Sequence, residues 1–279
     1  MFAASSLSET IPAGARQPRA DGGVRVSFRR TDGADRLADC LERDGYKIRF
    51  PRTGTLEGVI VNTGGGVAGG DLVRHGITLG AATRVTISTP SAERIYRALD
   101  APSRIEVSVR LEAGASLAWL PQETILYNRA NLERRFDIDM AADASLLMAE
   151  ITVFGRKEMG ETLSTAKYLD RWRVRRAGRL AFAENIRFEG DLHASLQKAA
   201  TGNGAGSCAT VLVVARAAED RLEAVRWALS GAASRIAASA WNGLLCIRCL
   251  GTDLEAVRHD LIRAIGVLRP EPMPRVWGT

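Results

Sequence analysis

Aromatic residues are scarce in this chain, 6% in all, and there are only three histidines and four cysteines. So few aromatics leave little material for the stacking platforms that single-stranded nucleic acid needs. The basic excess is modest, 38 Lys and Arg against 32 Asp and Glu, a formal +6. Because the bases are interleaved with acids, they read as a solvated surface rather than a nucleic-acid footprint. His75, His193 and His259 lie far apart and form no His-x-x-x-His pair. Cys40, Cys208, Cys246 and Cys249 are too few for a disulfide framework in 279 residues and point to a reducing compartment, with the cytoplasm as the expected location. No apolar run approaches the roughly 18 residues of a membrane-crossing helix. Met1 to Ala20 holds Ser, Pro, Gly and Arg but no apolar signal region, and residues 1–23 are expected to be disordered. A Gly-x-Ser-x-Gly elbow and a Cys/His local signature are both missing, so nucleophilic catalysis has no positive support.

Alternation of apolar and polar residues dominates from about Val24 to Phe188. Ile105, Val107, Val109 and Leu111 share one strand face, while Glu106, Ser108, Arg110 and Glu112 share the other. Phe136, Ile138 and Met140 alternate with Asp137 and Asp139, and Val85, Ile87 and Thr89 with Thr86 and Ser88. A weak repeat joins Leu79 to Val85, Leu111 to Leu117 and Met140 to Leu146. Aligned on Ala82, Ala115 and Ala144 it steps by 33 and then 29 residues and suggests coiled strand layers. Ala177-Gly178 marks a hairpin turn. Beyond Leu192 the pattern becomes β-α-β-β-α. It has an apolar strand at 209–215, a helical spacing of Leu222, Val225 and Leu229, strands at 234–240 and 244–250, and a last helix from the Asp253 cap to Pro270. The expected fold is mainly β, coiled and β-helix-like, with a smaller C-terminal α+β portion.

Thr63-Gly-Gly-Gly-Val-Ala-Gly-Gly-Asp71 is the most unusual segment. A phosphate-binding loop would need Lys followed by Ser or Thr, and a dinucleotide fingerprint would need a following helix. Here Gly70 precedes Asp71 and a strand pattern follows. Gly64, Gly65, Gly66, Gly69 and Gly70 therefore read as a structural turn or a surface for a partner's backbone, and a bulky side chain at Gly65 is expected to intrude. Cys246-x-x-Cys249 falls within a strand, where residues three apart face opposite sides, so a shared metal is not expected. Asp71 and His75 share a face, two pleats apart, and could offer only a transient metal contact. Glu57, Glu93, Glu123, Glu150 and Glu161 sit in apolar text, where a charge must be paired, hydrated or used. Pairing with Arg94, Arg97, Arg129 or Arg156 is the ordinary explanation. A wet internal passage lined with oxygen ligands is the functional one.

Several segments, in order, resemble the urease accessory protein D family (UreD, or UreH). They are the glycine segment, Thr89-Pro-Ser-Ala-Glu-Arg-Ile-Tyr-Arg97, Leu120-Pro-Gln-Glu-Thr-Ile-Leu-Tyr127, Gly155-Arg-Lys-Glu-Met-Gly-Glu161 and Met273-Pro-Arg-Val-Trp277. Ser88, Tyr127 and Met273 depart from the family's usual Thr, Phe and Leu. The resemblance implies a single UreD-like domain over 24–279, with a β-rich body at 24–192 and an α+β portion at 193–279. It also implies a non-enzymatic chaperone that binds apo-urease and UreF and, through UreF, the GTPase UreG. Nickel would be in transit along an internal tunnel, and no cofactor would be tightly held. Candidate lining residues are Asp71, Glu93, Glu123, Glu150 and Glu161. Two other function classes stand beside it: a β-solenoid enzyme acting on polysaccharide, and a basic nucleic-acid-binding module.

Overall fold

The structure, a computed structural model, describes residues 19–278. The chain opens with two antiparallel pairs. β1 (Asp21–Thr31) runs against β2 (Ala34–Arg43), and β3 (Tyr46–Arg49) against β4 (Glu57–Asn62). Three coils follow. The first is β5 (Leu72–Leu79), β6 (Arg84–Ser88) and the short β7 (Glu93–Ile95). The second is β8 (Ser103–Leu111), β9 (Ser116–Leu120) and β10 (Thr124–Leu126). The third is β11 (Asn131–Met140) and the long β12 (Ser145–Phe154). Equivalent strands of successive coils pair in parallel: β5 with β8 and β8 with β11 in one sheet, and β6 with β9 and β9 with β12 in the other. The period-two pattern predicted this coiling, and strand makes up 51% of the structure against 14% helix.

The hairpin β13 (Ala166–Arg176) and β14 (Arg179–Gly190) closes the first sheet through left-handed Ala177 and Gly178, the turn the sequence marked. A short α1 (Leu192–Gln197) leads to β15 (Ser207–Val214), which pairs antiparallel with β12 and carries the second sheet onward. Then come α2 (Leu222–Ala228), β16 (Arg235–Trp241), β17 (Leu244–Gly251) and α3 (Leu254–Leu268). The Asp253 carboxylate caps α3 by accepting from the Glu255 and Ala256 amides. The result is a seven-stranded sheet facing a ten-stranded one. One core lies between them, and a second lies between the ten-stranded sheet and the helices.

Three expectations change in detail. The turn residues that stack are Thr83, Ala115 and Ala144, with Thr83 in place of Ala82. Arg84 pairs with Ser116 and Ser116 with Ser145, which makes the first step one residue shorter than the 33 expected. Ala82 instead takes the left-handed turn position at φ 56°. Thr86 and Ser88, expected on a wet face, are buried, because the helical layer covers the back of this sheet. Residues 1–18 of the segment expected to be disordered lie outside the described residues, while Asp21, Gly22 and Gly23 are already strand. Cys246 and Cys249 do face opposite ways from β17, one into each core.

Candidate functional site

The long β12 meets two partners end to end, β9 along its first half and β10 along its last. Between those partners the strand is broken at Pro121, Gln122 and Glu123, and one coil earlier β6 and β7 are separated by Thr89 to Ala92. Proline has no amide to give a ladder, so Pro90 and Pro121 suit these interruptions. Gln122 re-anchors to the Thr89 hydroxyl (2.9 Å), and the Glu93 amide to the Glu123 carbonyl (2.9 Å). Where the ladders part, a small cavity of about 60 Å³ opens between the sheets, lined by His75, Glu93, Gln122, Thr124, Arg134 and Glu150 among apolar neighbours. A second pocket of about 80 Å³, walled by Tyr46, Asn62, Gly65, Pro90 and Ser91, shares Ile60, His75, Thr89 and Glu93 with the first.

One wall of the cavity is an ion network. Arg134 donates to Glu150 (2.5 Å), to both oxygens of Asp170 (2.6 and 3.1 Å), to the Tyr168 hydroxyl (2.8 Å) and to Thr124 (3.1 Å). Trp119 donates its indole N–H to the other Glu150 oxygen at 2.7 Å. Burial works against the Arg134 charge, but Asp170 and Glu150 outweigh it and hold its pKa well above the usual value. Burial pushes the Glu150 carboxyl up, with Arg134 and Trp119 pulling the other way. One guanidinium against two carboxylates leaves this wall a unit negative when all are ionised.

Glu93, on the facing wall, differs. It accepts from the Asn62 amide (2.9 Å) and the Tyr46 hydroxyl (3.4 Å), and among the described residues no cation lies within ion-pair distance. Burial raises its pKa to about 7 against those hydrogen bonds and the weaker pull of the neighbouring Arg94 amide and charge. His75 accepts the Val24 amide on Nδ1 (3.3 Å), and burial lowers its pKa to about 4. A neutral imidazole accepting at Nδ1 carries its proton on Nε2. His75 is therefore left with a donor, not a lone pair, at Nε2.

The other three candidate acids are tied elsewhere. Asp71 accepts from the Ala20 (3.0 Å) and Ala68 (2.7 Å) amides and closes the glycine segment. Glu161 grips Arg156 through two bonds (3.0 and 3.1 Å), which hold its pKa down. Glu123 pairs with Arg258 of α3 at 2.8 Å. Arg258 also donates to Gln122 (2.5 Å) and lies over the Trp277 ring. Trp277 in turn donates to the Leu120 carbonyl (3.0 Å), and the Val276 carbonyl accepts from Gln122 (2.7 Å). The C-terminal segment is thus latched onto the Leu120 to Glu123 break. Glu57 accepts from the Ser88 hydroxyl at 3.0 Å.

Of the arginines expected to pair with these acids, only Arg156 does, while Arg134 and Arg258 were overlooked. Both were legible. Arg134 has the parity of Leu132, Phe136 and Ile138 in a strand whose other face is wet, and Arg258 sits four residues after Leu254 and three before Leu261. In the glycine segment, a side chain at Gly65 meets nothing within 4 Å, contrary to expectation. The closed positions are Gly66, where a Cβ would stand 2.5 Å from the Tyr96 ring, and Gly69, where it would stand 2.6 Å from the Ala98 Cα.

Among the described residues no three His, Cys, Asp or Glu side chains converge on a metal cage. A coiled two-sheet body, latched at the break in its strands by its own C-terminal segment, defines a β-solenoid-like class of protein. The chain belongs to the UreD family: the model of the UreD urease accessory protein matches residues 20–278. Similar proteins include urease accessory protein UreD 1 of Methylobacterium radiotolerans, 44% identical with 96% of each chain covered. UreD of Xanthobacter autotrophicus is 43% identical over 95% of this chain and 92% of its own, and UreD 3 of a Bradyrhizobium species 42% over 93% and 94%.

Proposed function

We propose that this chain is a non-enzymatic scaffold of urease maturation, acting in the cytoplasm, which binds apo-urease and the accessory protein UreF, reaches UreG through UreF, and lets nickel pass through its interior. The observation that carries this reading is Glu93, a half-buried carboxylate that forms no ion pair among the described residues and stands where two pockets meet. The adjoining Arg134, Glu150 and Asp170 wall is itself short of one positive charge. A divalent cation is favoured in such a place, and among the described residues no preformed cage retains it. Carboxylate and amide oxygens bind nickel weakly enough to release it, which suits cargo better than a resident ion. In this reading Glu93, Glu150 and Gln122 line the passage. Asp71, Glu123 and Glu161 hold its surroundings in place.

The test separates routing from binding. Glu93→Gln keeps the size of the side chain and one of its two acceptor oxygens but removes its charge. Co-expressed with the urease subunits and accessory proteins, it is expected to leave the complex intact and lower the nickel content and urea hydrolysis of the urease at least tenfold. Full activation with Glu93→Gln would refute the passage, and full activation in cells lacking this chain would refute the scaffold.

A further inference from the structure

The outer face of the seven-stranded sheet carries much of the chain's basic excess. Because β5, β8, β11 and β13 run in parallel register, its side chains stand in rows across the strands. One row reads Arg74, Glu106, Arg135, Arg171. The next but one toward the strand ends reads Thr78, Arg110, Asp139, Arg175. Arg74 is engaged by Asp21 and Glu106, and Arg135 by Asp137. Arg25, Arg110 and Arg171 are exposed, and none of their side chains has an ion pair or hydrogen bond among the described residues. Arg171 stands directly beside Arg135, an alignment of like charges that costs the isolated sheet stability.

We propose that this face is the docking surface for an acidic, folded surface of a partner protein, and that the partner is apo-urease. The second half of that statement rests on the reading in the preceding subsection. Three features select a folded protein. Seven strands spaced about 4.8 Å apart, up to ten or so residues long, give a flat face roughly 30 Å on a side, close to one partner's share of a standard interface. Carboxylates interleaved among the arginines, Glu106, Glu133 and Asp139, would repel a continuous phosphate backbone but can meet the scattered bases of a protein surface. The aromatic rings of these seven strands, Phe28, Phe136, Tyr168, Trp172, Phe182 and Phe188, all pack on the inner core, so none is available to stack on bases. Unpaired guanidinium groups fit bidentate carboxylate partners and steer association by charge.

The test is a triple charge reversal, Arg25→Glu, Arg110→Glu and Arg171→Glu, with Arg→Gln at the same positions as a gentler set. All three side chains point away from the cavity wall, so both sets are expected to melt within a few degrees of the unaltered chain. Binding to purified apo-urease at 0.1 M salt is expected to weaken at least tenfold for the Glu set and less for the Gln set. Affinity of the unaltered chain is expected to fall steeply as salt is raised. Apo-urease binding within twofold of the unaltered chain, in a triple variant that folds, would overturn the proposal. So would a face whose reversal abolishes binding to random-sequence DNA while leaving apo-urease binding unchanged. If the unaltered chain itself fails to bind apo-urease, the scaffold reading falls and takes this proposal with it.

Discussion

Glu93 and His75 face one cavity, and burial acts on them in opposite senses. In the folded chain the Glu93 carboxyl holds its proton up to about pH 7 against the ordinary 4.5, so folding takes up a proton between those limits and stability falls as pH rises through them. The His75 imidazole stays neutral down to about pH 4 against 6.5, so stability falls as pH drops from 6.5 toward 4. The two slopes overlap and offset one another. Removing either group is expected to expose the other. Relative to the unaltered chain, Glu93→Gln should gain stability progressively as pH rises toward 7, and His75→Gln should gain it as pH falls toward 4. Melting curves of metal-free protein across this range measure both differences, and a pH-independent difference for either variant would contradict its assignment.

Among the loops, the glycine segment and the C-terminal latch make separable predictions. Gly65 and Gly66 both have positive φ, at 76° and 156°, but only Gly66 is closed in by Tyr96 and the Arg94 carbonyl. Gly65→Ala is expected to cost about 1–2 kcal/mol from left-handed backbone alone. Gly66→Ala should cost more, because the Tyr96 ring must move as well. Urea unfolding of the pair gives the comparison, and equal losses would mean that the Tyr96 contact carries no weight. At the latch, Arg258→Ala leaves Glu123 and Gln122 without their partner and removes the cover over Trp277. Stranding one member of a buried pair costs about 3–5 kcal/mol, and the side chains here are 9% and 14% exposed, so a loss near the lower figure is expected. Deleting Val276 and Trp277 should produce a similar loss if the latch acts as one unit.

Across the whole molecule, Arg134 ties the two sheets. It sits in the seven-stranded sheet and bonds Glu150 and Thr124 in the other, while its second carboxylate, Asp170, belongs to its own sheet. Arg134→Ala would leave two buried carboxylates uncompensated, and a loss of at least about 3–5 kcal/mol is expected. Arg134→Met combined with Glu150→Gln and Asp170→Asn should recover part of it by removing the stranded charges. Because β12 and β15 continue one sheet from the coils into the α+β portion, chemical denaturation is expected to show a single transition by fluorescence and by far-UV circular dichroism. Two separated transitions would mean that the portions fold apart.

How much of this was legible follows from the range of each interaction. Side-chain direction in a strand alternates with period two, so composition along the chain was enough to assign the coils, the hairpin at Ala177-Gly178, the opposed Cys246 and Cys249, and the capped last helix. The same parity placed Arg134 among core residues. It could not say what Arg134 would meet, because Glu150 is 16 residues away and Asp170 is 36, and their meeting depends on how coil stacks on coil. Thr86 and Ser88 were expected to be wet because alternation reports one face only, and a helical layer from beyond Leu192 covers the other. Glu93, Glu123, Glu150 and Glu161 look alike in sequence, each a carboxylate in apolar text. Only the tertiary structure divides them, giving Glu123 to Arg258 across 135 residues and Glu161 to Arg156 nearby, and leaving Glu93 without an ion pair among the described residues. Local sequence set where each side chain points; the stacking of the coils decided which charges meet, because the cost of a buried charge depends on partners that local sequence does not contain.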